Sequence, residues 1–261
     1  MLFHEVMQTV VQRGDRWVAE FDESWLQGRS AFGGLQVALI LRAMREQVPA
    51  DMPLRTVQAT FLAPVPAGGV TIQARLLRAG KNTLQLEGRI VEGEQTLCLA
   101  IAVFGMARQS IVRESPRRMA RDASSRAAVL PFVPGVTPQF TQHFNARWLR
   151  GDLPFSGGSS TESSVALDLK DAGPVDETRI VVFADFMPPI GLSMLKQPAP
   201  GSSLTWMLEL VSDRRDYSCE GWLVDARLDA AMDGYTSQSL VLWGPDGEPV
   251  ALGHQSMLVF G

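Results

Sequence analysis

Read for its apolar and polar positions, the chain sorts into many alternating segments and one segment that is apolar nearly all round. "DRWVAEFDESW" has the period-two alternation of a half-buried strand. "SAFGGLQVALILRAMREQV" has the helical period instead, and predicts a helix that begins near Ser30 and ends before Pro49. Its first turns carry apolar side chains on almost every face, and Arg42, Arg45 and Glu46 come only toward its end. Such a helix is predicted to be buried on most sides rather than to lie on a surface. Three strand segments follow: "RTVQATFLAP", then "VTIQARLLRAGKNTLQLEGRIVEG" as a hairpin turning at Gly80-Lys81-Asn82, then "TLCLAIAVFG".

The second half repeats this order. "HFNARWLRGD" and "STESSVALDLK" predict strands, and "DFMPPIGLSML" predicts a short helix with its prolines in the first turn. Further strands come from "SSLTWMLELVS", "GWLVDARLDAAMDGYTSQSLVLWGPDG" and "PVALGHQSMLVFG". The halves also close alike, with "GEQTLCLAIAVFG" at 93–105 and "GEPVALGHQSMLVFG" at 247–261. An internal repeat of this kind organises the whole fold. One apolar helix plus several antiparallel strands per half predicts an α+β architecture in which a curved sheet wraps each helix. The expected division is a domain over 1–107, a linker over 108–140 and a second domain over 141–261. The linker is rich in Arg, Ser and Pro and lacks strand alternation. Its arginines (Arg108, Arg113, Arg117, Arg118, Arg121, Arg126) offer charge to a phosphate-bearing ligand, and equally suit a solvated connector.

Bulk properties narrow the function classes. The 261 residues suffice for two small domains with real cores. A net charge of −4 supplies no long-range attraction for nucleic acid or an anionic membrane, and neither is an expected partner. Cys98 and Cys219 are too few for a disulfide framework and read as buried thiols in a reducing compartment. The first residues have neither the basic lead nor the apolar core of a signal peptide, so the expected location is cytoplasmic. His and Cys show no metal spacing, and neither a metal nor a cofactor is expected.

One residue resists the packing account. Asp185 stands inside "VVFADFMPPIG", where its neighbours are selected for burial, and an unpartnered carboxylate there is costly. Together with "SAFGGLQVALIL", "ATFLAPVPAGGVTIQARLLRAGKNT", "SSLTWMLEL", "GWLVDARLDAAMDGY" and "LWGPDGEPVALGHQSMLVF", this segment resembles the double-hotdog acyl-CoA thioesterases. That group includes bacterial thioesterase II and its peroxisomal relatives, and the resemblance runs over nearly the whole chain. It implies two tandem curved antiparallel sheets, each wrapped around a central helix. It also implies hydrolysis of an acyl thioester by water without a covalent intermediate. The family's water is held by an Asp, a Ser or Thr, and a Gln, which carry over to Asp185, Ser203 and Gln255. Ser202 is the alternative hydroxyl, one residue away. The region of Thr205 and Trp206 departs from thioesterase II, which has a charged pair there.

These residue types suit the reaction. A carboxylate within reach accepts the water's proton as attack proceeds, a contribution of ~10²–10⁴-fold. Asp185 is expected just before a helix, where the positive end of the dipole favours its charge and its apolar neighbours oppose it. Period two groups Gln255 with Ala251, Gly253, Met257 and Val259 on an inward face, and turns His254 outward. The oxyanion needs fixed donors, and the helix start at Gly33, Gly34 and Leu35 offers free backbone N–H groups. A bulky residue at Gly34 is then expected to cut turnover more than folding.

Aligning the two "VFG" endings puts Leu99 at the place of Gln255, and no acid lies between Arg29 and Glu46, so one site per chain is expected. Each feature has a structural reading as well. Asp185 suits a helix cap, the paired serines suit a turn, and Phe-Gly-Gly suits close packing. Trp206, Met194, Met207 and Met257 suit either an acyl tunnel or a core. The rival functions are an enoyl-thioester hydratase, disfavoured because no histidine lies near Asp185 in sequence, and a non-catalytic acyl-thioester-binding or assembly module. The expected partner is an acyl-CoA or acyl-carrier thioester, with self-association as a homodimer compatible with exposed outer strands.

Overall fold

The computed structural model describes residues 1–118, 127–214 and 216–260. In chain order the first half holds α1 (Phe3–Gln8), β1 (Val11–Arg13), β2 (Arg16–Phe21), β3 (Leu26–Gln27), β4 (Ser30–Ala31), α2 (Gly33–Arg45), β5 (Leu54–Phe61), β6 (Gly68–Ala79), β7 (Thr83–Glu92) and β8 (Gln95–Gly105). The second holds β9 (Ala128–Leu130), β10 (Phe144–Arg150), β11 (Glu162–Leu169), α3 (Glu177–Ala184), β12 (Gly201–Leu210), β13 (Trp222–Met232), β14 (Tyr235–Trp243) and β15 (Pro249–Val259). β3 and β4 make a ribbon of their own. The other strands described form one antiparallel sheet in the order β1-β2-β6-β7-β8-β5-β12-β15-β14-β13-β11-β10-β9.

The duplication read from the two strand endings is visible in this order. Outward from the centre, β5-β8-β7-β6-β2 on one side matches β12-β15-β14-β13-β11 on the other. The halves join where β5 and β12 pair antiparallel, with Trp206 opposite Ala59 and Leu208 opposite Val57. The two expected curved sheets are thus continuous across a hydrogen-bonded seam. The sheet's two edge strands, β1 and β9, are three residues each, which leaves little edge for further strand pairing. β9 lies in the connector for which no strand was expected, and Arg121 and Arg126 fall outside the described residues.

α2 forms as its sequence predicts, and Leu35 through Leu41 are buried wherever they are apolar. Each of the Leu, Val and Ile side chains removed from water contributes ~1.5–3 kcal/mol. The helix lies close on β7 because Gly88 faces it; a Cβ there would run into Ile40 Cγ2.

The second helix differs from the expectation. α3 precedes Asp185 rather than following it. Asp176 caps its start, its carboxylate accepting from the backbone N–H groups of Thr178 and Arg179 at 3.1 Å each. The Asp185 N–H closes the last turn on the Val181 carbonyl at 3.1 Å. Pro188 and Pro189 follow the helix end, where proline blocks continuation, and a short 3-10 turn comes next at Ile190–Met194. The short helix expected after the prolines is this single 3-10 turn, with Pro189 at its N-cap.

α2 and α3 run antiparallel. Arg45, near the end of α2, donates from Nε to Glu177 Oε1 at the start of α3 at 2.7 Å. At the other end Gly34 opens α2 against the backbone of Val181, whose oxygen would be 3.1 Å from any Cβ at Gly34. Asp185 therefore stands where the C-terminus of one helix meets the N-terminus of the other.

Candidate functional site

Gln255 comes to the site by strand alternation. On β15 Ala251, Gly253, Gln255 and Met257 lie on the inner face and are buried, while His254 faces out. Gln255 is 2 % exposed and Asp185 9 %. The Gln255 amide Nε2 donates to Asp185 Oδ1 at 2.5 Å. The Gly34 backbone N–H, one of the free donors in the first turn of α2, donates to the same carboxylate. Burial pushes the Asp185 carboxyl up to about 7 against these two donors, which pull it down. The helix dipole that favours its charge is thus that of α2, from the other half of the chain.

Ser203 reaches the same face through a bulge. β12 slips register between Ser203 and Thr205, so Ser203 pairs with inward Met257 and Trp206 with Gln255. Ser202 pairs with Leu258 and is exposed, whereas Ser203 is half-buried. The bulge thus puts Ser203, not Ser202, on the inner face.

The first half carries a bulge in the same place, with Leu54 opposite Phe104 and Thr56 opposite Val103. Matching bulge to bulge sets Leu54 against Ser203 and Ala102 against Gln255. Leu99 is not the counterpart of Gln255, because it lies between inward Cys98 and Ala100 on the opposite face. The matched positions are apolar, so the polar set belongs to the second half alone.

The helix start lies against the carboxylate. The Gly34 N–H is one of the groups that draw the Asp185 carboxyl down. Gly34 also has its Cβ position blocked by the Phe32 ring and by backbone, so a bulky residue there is expected to damage the α2–α3 packing at least as much as turnover. Leu35 is buried in the core.

Gly33 is the more telling position. A Cβ on it would lie 2.7 Å from Asp185 Oδ2 and 3.0 Å from Phe61 Cζ. Both are side-chain atoms and neither is backbone. Gly33→Ala is therefore expected to turn the carboxylate aside while α2 stays folded, lowering kcat by ~10–10²-fold with little change in melting temperature. Steady-state kinetics and a thermal melt of the variant check this.

Sequence reading missed two polar neighbours that share the rungs of Gln255 and Met257. Gln238 pairs with Gln255 across β14–β15 and is fully buried. Its Oε1 accepts from the Ile190 N–H at 3.0 Å, which pins the segment just after Asp185. Thr236 pairs with Met257 and is 6 % exposed. The alternation of "YTSQSLVLW" places Thr236, Gln238, Leu240 and Leu242 on one face, and a polar pair on a face ending in leucines was the available signal. Cys98 also stands near, its thiol pushed up to about 12 by burial and by the Asp185 charge.

The three histidines are engaged elsewhere. His4 Nδ1 pairs with Asp171, His143 stacks on Trp25 with centroids 4.0 Å apart, and His254 meets Ser237 on the outer face. Burial holds His143 down at about 4, so it is neutral.

Family signatures match both halves of the chain. That of the acyl-CoA thioesterase N-terminal domain matches residues 21–105, and that of the C-terminal domain matches residues 121–259. The chain belongs to the acyl-CoA thioesterase family. No curated protein is similar enough to count as a close relative. Among solved structures, this acyl-CoA thioesterase chain is similar to a conserved protein of unknown function with a hot dog fold from Alicyclobacillus acidocaldarius. The TM-score is 0.84 at 19% identity, covering 98% of this chain and 97% of that one. It is also similar to an acyl-CoA thioesterase II from Mycobacterium marinum, with a TM-score of 0.72 at 16% identity, covering 98% and 97%. At these identities the two structures bear on the fold, which is the double hotdog.

Proposed function

We propose that the chain hydrolyses acyl-CoA thioesters, with Asp185, Ser203 and Gln255 as its catalytic set. The observation that carries this reading is the Asp185–Gln255 pair, a carboxylate closed off from bulk solvent at the end of α3 and held by an amide and a helix N-terminus. A base whose pKa lies near the working pH is what proton removal from water requires.

Water gives one proton to Asp185 as its oxygen bonds to the thioester carbon. The tetrahedral intermediate then expels the thiolate, the C–S bond breaks, and the proton on Asp185 passes to the departing sulfur. Gln255 has its Oε1 without a hydrogen-bond partner. This oxygen accepts the water's second proton in a hydrogen bond, while the Nε2 of the same amide fixes the base. Ser203 supplies a hydroxyl on the next rung.

Access depends on Phe61, half-buried at the end of β5, with its ring beside Gly33 and the carboxylate. It is the side chain placed to yield to an entering acyl group. A cytoplasmic setting suits the two free thiols Cys98 and Cys219, and among the described residues no helix is long and apolar enough to cross a membrane.

Release of free thiol from a straight-chain C2–C16 acyl-CoA series tests the reading. Turnover that follows enzyme concentration supports it, and no thiol release from any member would sink it. Ser203→Ala is expected to lower kcat by ~10-fold or more, and Ser202→Ala to leave it unchanged, because only the former lies on the inner face of the sheet. Parallel kinetics of the two variants check this.

A further inference from the structure

The developing oxyanion needs a fixed hydrogen-bond donor. Trp206 is 2 % exposed and its indole Nε1 has no hydrogen-bond partner. A buried donor left unmade costs ~1–3 kcal/mol, and each such group in a native fold calls for an explanation. Its place supplies one. Trp206 stands directly opposite Gln255 in the β12–β15 ladder, both side chains rising from the inner face. Opposed residues of this kind have Cβ atoms ~4.5–5.5 Å apart.

The two unpartnered atoms on this rung are complementary. One is a donor, the indole N–H; the other is an acceptor, Gln255 Oε1. Thioester hydrolysis presents the matching pair, a carbonyl oxygen that gathers charge and a water that must be held by its proton. Across the seam Trp206 faces Ala59, whose methyl group leaves the indole room.

We infer that Trp206 is a catalytic residue whose indole N–H donates to the thioester oxygen as it becomes an oxyanion. The assignment rests on the hydrolytic reading above. Indole is neutral, donates only, and is locked by packing on two strands, so it stabilises charge that appears during the reaction without reorganising. Acting from the second half, it places the oxyanion donor and the base on the same half of the chain.

The test is Trp206→Phe, with benzothienylalanine incorporated at position 206 as a second replacement that keeps the ring size and removes the N–H. Each is expected to lower kcat by ~10²–10³-fold with KM changed by less than about threefold. Two non-hydrolysable CoA analogues, with the acyl chain that wild type turns over best, separate the roles. Binding of a trifluoromethyl ketone, which forms a tetrahedral oxyanion, is expected to weaken by a similar factor, and binding of a thioether, which has no carbonyl, to stay the same. A kcat that survives in the benzothienylalanine protein, or equal weakening toward both analogues, overturns the assignment. Wild-type turnover that is lost in Asp185→Asn in the same assays keeps the hydrolytic reading standing even if Trp206 fails.

Discussion

Asp185→Asn is expected to lower kcat/KM by ~10²–10⁴-fold while the fold, the seam and acyl-CoA binding persist. The amide has nearly the same shape and still accepts from Gln255 Nε2, but it takes no proton from water. The pH dependence sharpens the test. Only the ionised carboxylate is a base, and burial has pushed its pKa up to about 7. Wild-type kcat/KM should therefore rise with pH along an acid limb centred near 7, and the residual rate of the variant should lack that limb. A limb near 4, the range of a solvated carboxylate, would count against Asp185 as the base.

Stability should move in the opposite sense. The folded carboxyl binds its proton more tightly than the unfolded one, whose pKa is 3.8. The stabilisation this provides is complete below about pH 4 and is lost as pH rises through about 7. Over that window it amounts to at most about 4 kcal/mol, from 1.4 kcal/mol per pKa unit. The Asn variant has no such slope, so it should gain stability relative to wild type as the pH is raised from 4 to 8. Denaturant midpoints of the two proteins at both pH values check this.

The sequence told most of the architecture and less of the site's wiring. Period two predicted the long strands, and Gln255 could be set inward because its alternate neighbours are apolar. α2 could be read because an apolar helix with charges only at its end has one packing solution. α3 could not, because "DFMPPIG" offers prolines that suit the start of a helix as well as the stretch beyond its end. The capping signal that decides between them, Asp176 before "ETRIVVFA", lies nine residues upstream of Asp185. The favourable helix end at Asp185 is that of α2 rather than of a helix that follows it, and a contact between halves of this kind leaves no local pattern in the sequence.

Ser202 and Ser203 could not be separated because a bulge breaks the period on which every inward assignment rests. The pairing of Leu99 with Gln255 fails for a related reason: similar strand ends need not share register, and an odd offset moves a side chain to the other face.

Gln255→Leu is expected to be nearly as damaging as loss of the base, and to differ from it in being partly rescued by alkali. The Nε2–Oδ1 bond is one of the two donors that keep Asp185 ionisable in a closed site. A hydrogen bond to a charged group is worth ~1.5–3 kcal/mol, so its removal should raise the pKa by ~1–2 and move the acid limb from about 7 to about 8–9. At pH 7 the smaller ionised fraction costs ~5–50-fold, and loss of the Oε1 contact to the attacking water adds to it. Raising the pH restores the ionised fraction but not the water's orientation, so kcat/KM should recover in part and level off below wild type. Leucine has no charge and suits the apolar neighbours Gly253 and Met257, so folding should not confound the measurement. An acid limb that stayed near 7 in this variant would mean that Gln255 does not hold the base. A full return to wild-type rate in alkali would mean that it holds the base and nothing else.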